Sequence, residues 1–217
     1  MRTLRGLAVL VALLALAAPA SGAERVIVAL GDSLTAGLGV APQDAYPALL
    51  EARLRGEGFD YRVVNAGVNG DTSAGGLRRL DWALRARPEI VIVALGANDG
   101  LRGLPVAPLR DNLTRIVQRA RAAGARVLLT GMRVPPNYGD EYAGAFAAVF
   151  PTVARATGAS LAPFLLDGVA GDPRLNQPDG VHPTADGQRV IAERLWPYLK
   201  PLLTPATPAA IPGNSRR

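Results

Sequence analysis

The chain alternates short, almost wholly apolar runs with longer stretches in which apolar residues recur at helical spacing. Residues 26–30, 61–64, 90–95, 126–130 and 160–165 have the length and composition of strands. Between them, 45–55, 75–87, 108–123 and 142–157 are rich in Ala, Leu and Arg and predict helices, and a last helix is expected over about 184–202. Gly124 and Gly158 stand where a glycine closes a helix. Strand then helix, repeated, implies parallel strands joined by right-handed crossovers. The expected fold is α/β, a three-layer α/β/α sandwich on a five-stranded parallel sheet. Its functional loops should gather at the carboxyl ends of the strands.

The two ends of the chain read differently from this middle. In residues 1–23, Arg2 and Arg5 precede an apolar run over 7–18 and then small residues, the pattern of a secretory signal. The run is short against the ~20 residues of a membrane-spanning helix, so export with cleavage, to the periplasm or beyond, is expected. The tail 204–217 carries Pro205, Pro208 and Pro212, has little to bury, and is expected to be disordered. One domain over 24–203 remains.

The 217 residues suffice for one well-buried core, and no cysteine is present to support it with a disulfide. Losing Arg2 and Arg5 takes 24 basic residues to 22 against 18 acidic ones, so the net charge falls from +6 to +4. The arginines are scattered, which argues against a nucleic-acid track and leaves at most a weak attraction to anionic membrane surfaces. A monomer is expected.

His182, the only histidine, lies in Asp179-Gly-Val-His182-Pro ahead of the last helix. A carboxylate three residues away can fold back onto one imidazole nitrogen and leave the other facing outward, the arrangement a general base needs. Ser33 follows the first strand in Gly31-Asp32-Ser33-Leu34, at the edge where a nucleophile would stand. By itself such a serine is more often a helix cap, and this is not the G-x-S-x-G turn of α/β-hydrolases. Gly70, after the second strand, and Asn98, after the third, can each offer an N–H to a developing oxyanion. Both are also ordinary turn residues. The Gly70 segment lacks the Gly-Lys-Ser/Thr ending of a phosphate loop.

In this order and spacing the four segments resemble the blocks of the SGNH (GDSL) hydrolase family over about residues 25–203. The resemblance implies a flavodoxin-like SGNH hydrolase fold, with Ser33 as nucleophile and Asp179 and His182 completing a triad. It implies an oxyanion hole from Gly70, Asn98 and the Ser33 backbone N–H, and neither metal nor organic cofactor. Gly70-Asp-Thr-Ser73, Asn98-Asp-Gly-Leu-Arg-Gly103 and Pro136-Asn-Tyr-Gly139 are most similar to the exported bacterial acyl-thioesterase, arylesterase and lysophospholipase branch. Ala97 departs from the second glycine common there and adds a methyl beside Asn98. The substrate implied is a small-molecule acyl ester or thioester. Leu101, Leu104, Val134 and Pro135 are candidates for an acyl groove, with Asn137 and Tyr138 on its rim and Arg102 for a carboxylate or phosphate. A carbohydrate acetylesterase is the alternative enzyme, with Trp82 and Trp196 the only tryptophans able to stack on a sugar. A non-catalytic exported binding protein is the alternative outside enzymes.

Overall fold

A computed structural model describes residues 24–205. The expected signal segment 1–23 and most of the expected tail, 206–217, lie outside the described residues. Five strands, β1 (Arg25–Gly31), β2 (Tyr61–Gly67), β3 (Ile90–Ala94), β4 (Arg126–Thr130) and β5 (Ser160–Ala162), form one parallel sheet in the order β2-β1-β3-β4-β5. The central strands β1 and β3 read as unbroken apolar runs because both of their faces are covered, and Ile27, Leu30, Ile90 and Ile92 are fully buried.

The main helices are α2 (Tyr46–Gly56), α3 (Ser73–Leu84), α5 (Val106–Ala122), α6 (Asp140–Thr157) and α7 (Ala185–Leu199). The strand order reverses after β2. A right-handed crossover therefore puts the β1-to-β2 helix on one face and the later crossover helices on the other. Accordingly α2 packs with α7, while α5 packs with both α3 and α6. Such a reversal leaves a crevice beyond the carboxyl ends of β1 and β3, the place where α/β sheets bind ligands.

Several boundaries differ from the sequence-based expectation. Strand β5 stops at Ala162 instead of 165 because Pro163 has no N–H to continue the ladder. Strand β2 runs on to Gly67, with Asn65, Ala66 and Gly67 paired to Ala29, Leu30 and Gly31, although Asn and Gly read as turn residues. Thr204, expected in the tail, is tied to the bottom of the sheet. Its hydroxyl donates to Glu89 at 2.7 Å and its N–H donates to the Tyr61 hydroxyl at 3.1 Å.

Two further helices went unread, α1 (Ser33–Ala36) and α4 (Ala97–Leu101). Each is only about one turn long, too short for a hydrophobic period to show, and each sits at the crevice.

Candidate active site

Ser33 is the first residue of α1, directly after β1. Its turn is shaped by Asp32, whose carboxylate accepts the Leu34 N–H at 3.0 Å. The short helix lies almost in contact with the strands. A methyl added at Gly67 would come within 2.2 Å of the Ala36 backbone nitrogen, so the glycine is what lets α1 approach β2.

From the other end of the chain, the loop before α7 brings His182 to the same place. Its Nε2 lies 2.9 Å from Ser33 Oγ. Its Nδ1 lies 2.6 Å from Asp179 Oδ2, while Asp179 Oδ1 accepts the backbone N–H groups of Val181 and His182, both at 2.9 Å. Those backbone donors, together with the imidazole, hold the Asp179 carboxyl down at about 2. Asp179 therefore stays a carboxylate, an acceptor only, and the Nδ1 proton points to it. That tautomer leaves Nε2 with a lone pair for the Ser33 hydroxyl proton.

Asn98 lies in α4, just beyond β3. Its side-chain amide donates to the Asp71 carbonyl at 3.0 Å, which fixes the amide plane, and its longer contact to Asp32 is 3.4 Å. Gly70 adopts a left-handed φ of 74° in the loop after β2. Among the described residues neither the Gly70 nor the Ser33 backbone N–H has an acceptor in the protein. This edge is braced by two charged side chains that the sequence reading passed over. Arg79 of α3 donates to Asp71 at 2.6 Å, to the Ala66 carbonyl at 2.6 Å and to the Gly31 carbonyl at 2.7 Å, tying the ends of β1 and β2 together. Asp99 is buried and takes both the N–H and the hydroxyl of Ser73, joining α4 to the start of α3. Neither role is visible as a local pattern, since the partners lie 8 to 48 positions away in sequence.

Beside Ser33 and His182 opens a cavity of about 540 Å³ with predominantly apolar walls. Leu101, Val134 and Pro135 are among the residues that line it. Phe164, Leu166 and Val181 line it as well and were missed. Phe164 and Leu166 follow the carboxyl end of β5, so the rule that sites gather there was the signal available.

Four expected pocket residues are not in the lining. Arg102 donates to the Gly70 carbonyl at 2.9 Å, so its guanidinium braces the loop. The Tyr138 hydroxyl donates to the Leu101 carbonyl at 2.7 Å. Leu104 is exposed, and its carbonyl accepts the Tyr142 hydroxyl at 2.8 Å. Asn137 sits exposed in the same turn as Tyr138. Gly70 is also not among the residues lining the cavity. No group of three or more His, Cys, Asp or Glu side chains among the described residues is placed to hold a metal ion.

A model of the GDSL-like lipase/acylhydrolase family matches residues 29–190 of this chain. The chain belongs to that family. It is 48% identical over 182 residues to the Pseudomonas aeruginosa protein named Esterase TesA, covering 83% of this chain and 90% of that one. It is 40% identical over 185 residues to Escherichia coli (strain K12) Thioesterase 1/protease 1/lysophospholipase L1, covering 85% of this chain and 87% of that one. Among solved structures, a psychrotrophic esterase EstA from Pseudoalteromonas sp., inhibited by monoethylphosphonate, matches with a TM-score of 0.78. It is 37% identical, and the match covers 82% of this chain and 97% of that one. The GDSL signature of the family is Gly31-Asp32-Ser33-Leu34 here, and in this GDSL hydrolase its aspartate is an unusual group.

Asp32 is fully buried, and burial pushes its carboxyl up to about 6 against the pull of the Leu34 N–H and the His182 charge. The unfolded chain ionises this group near ~4. Between the two values the folded protein holds a proton that the unfolded chain has released. Its stability therefore falls as pH rises from ~4 through about 6, by about 3 kcal/mol in all. Asp32→Asn keeps an oxygen for Leu34 and carries no charge. Urea unfolding at pH 4 to 7 should show the wild type losing about that much stability relative to Asp32→Asn as pH rises. Parallel curves would mean that burial does not penalise the Asp32 charge.

Proposed function

We propose that the chain is a serine esterase that hydrolyses acyl esters and thioesters through an acyl-serine intermediate. The observation that carries this reading is the continuous Ser33–His182–Asp179 relay opening onto an apolar cavity. The relatives named esterase and thioesterase support the same reaction class.

Ser33 Oγ attacks the acyl carbonyl as His182 Nε2 takes its proton, and the Asp179 carboxylate stabilises the imidazolium so formed. The oxyanion is received by the N–H groups of Ser33 and Gly70 and by the Asn98 amide. His182 then returns the proton to the departing alcohol or thiol. Water enters by the same route in reverse and releases the acid. Leu101, Val134, Pro135, Phe164 and Leu166 offer the acyl chain an apolar wall. Neither Trp82, exposed on α3, nor Trp196, buried in α7, lines the cavity, so neither tryptophan is placed to stack on a sugar there.

All the groups in this scheme come from one chain, and a monomer suffices. The Arg2, Arg5 and apolar pattern of residues 1–23 supports export ahead of a hydrolase domain beginning near residue 24. No helix among the described residues is long and apolar enough to cross a membrane.

The test is hydrolysis of p-nitrophenyl esters and matched acyl thioesters from ~2 to ~16 carbons, with peptide mapping of the residue labelled by an alkylphosphonate. Turnover with a phosphonate on Ser33 is expected. An inert protein, or a label elsewhere, would reject the reading. Asn98→Ala should lower kcat about 10² to 10³-fold with little change in KM if its amide meets the oxyanion. A change confined to KM would assign Asn98 to substrate binding instead.

A further inference from the structure

The nucleophile and the base lie 149 positions apart in the chain, and the loop carrying the base is anchored on one side by the buried Pro183. Pro178, Asp179, Gly180 and Val181 are all exposed. Over these exposed positions the loop depends on polar contacts to hold it beside Ser33.

Gln177 has the contacts to do this. Its backbone N–H donates to the His182 carbonyl at 2.7 Å and its carbonyl accepts the Gly180 N–H at 2.9 Å, which closes the loop on itself. Its side-chain Nε2 donates to the Pro183 carbonyl at 2.9 Å, next to His182, and to the Leu38 carbonyl at 2.7 Å. Leu38 is in the turn leaving α1, and its own N–H donates to the Ser33 carbonyl at 3.1 Å. One NH₂ group thus gives one hydrogen to each half of the site. Gly39, with φ of 81°, makes the room. A methyl built there would come within 2.2 Å of Gln177 Oε1.

Resting on the catalytic reading above, we infer that Gln177 is a positioning residue, which clamps the α1 turn to the base loop and so sets the Ser33–His182 hydrogen bond. Gln188 makes a second link, accepting the Tyr46 N–H at 2.8 Å and donating to the Leu34 carbonyl at 3.1 Å. It is fully buried between α7, α1 and α2, so changing it also empties the core. Gln177 is half-buried and can be altered with less disturbance.

Two variants of similar shape remove the donors. Gln177→Glu sets an oxygen against two carbonyl oxygens, and Gln177→Met leaves them unpaired. Each is compared with wild type by thermal melting, by kcat and KM on p-nitrophenyl butyrate, and by the rate of phosphonylation per labelled site. The chain has 1 His, so the imidazole ¹⁵N spectrum reports His182 without assignment, and Ser33→Ala supplies the spectrum of an imidazole without its serine.

A displacement of about 1 Å costs up to about 10²-fold in rate. Expected in both variants is a 10- to 100-fold loss in kcat and in phosphonylation rate, with KM within about twofold, full final labelling, and an imidazole spectrum moved toward that of Ser33→Ala. Wild-type rates per labelled site, a loss seen only as a smaller labelled fraction, or an unmoved imidazole spectrum would each overturn the clamp. If Ser33→Ala itself keeps full activity and leaves the imidazole spectrum unchanged, the catalytic reading fails, and the clamp fails with it.

Discussion

Ser33→Ala and His182→Ala are each expected to lower kcat on a p-nitrophenyl ester by on the order of 10⁵ to 10⁶-fold, and the double variant by scarcely more. In the proposed mechanism nucleophile and base act as one unit. Without the hydroxyl there is nothing to acylate, and without Nε2 at 2.9 Å the hydroxyl keeps its proton. The residue left after either change reflects binding and oxyanion stabilisation alone, about 10³ to 10⁴ over water in serine proteases. Inhibition by the phosphonate separates this from contaminating serine esterase, which would be titrated while Ser33→Ala would not. Independent, multiplying effects of the two substitutions would mean that the residues do not share a step.

Asp179→Asn should come next, with kcat falling by as much as ~10⁴-fold and KM little changed. The reason lies in the two backbone N–H groups that converge on Oδ1. They demand an oxygen there, so the amide nitrogen of an asparagine is forced to the side facing His182 Nδ1. A donor at that position selects the imidazole tautomer with its proton on Nε2, which cannot accept one from Ser33. Because wild-type Asp179 is held at about 2, its ionisation contributes no limb to the kcat/KM profile above pH ~4. Turnover of Asp179→Asn near that of wild type would remove this carboxylate from the mechanism.

Much of the fold was legible because strands and helices of this kind announce themselves locally. The central strands are apolar throughout, and the Gly158 stop is realised with a left-handed φ of 68°. Asp179 and His182 were readable as a pair for the same reason, since their contact spans three positions. The pocket is less legible in the sequence. Leu101 and Pro135 belong to it, whereas Arg102 and Tyr138 turned out to make hydrogen bonds to backbone carbonyls of neighbouring loops. An arginine in a loop looks the same in sequence whether it meets a ligand or the carbonyl of a loop 32 positions away.

Local chemistry along the chain decided which segments become strands, which become helices, and which residue types are available to react. Periodicity, turn residues and short-range hydrogen bonds act over a few positions, and the sequence displays them directly. The tertiary structure alone decided that Ser33 and His182 meet, that Arg79 and Asp99 brace the edge around Gly70 and Asn98, and that Gln177 joins the two halves. Those contacts form only when parallel strands bring distant loops to one sheet edge. Their geometry is therefore set by packing and crossover handedness, and no local pattern records it.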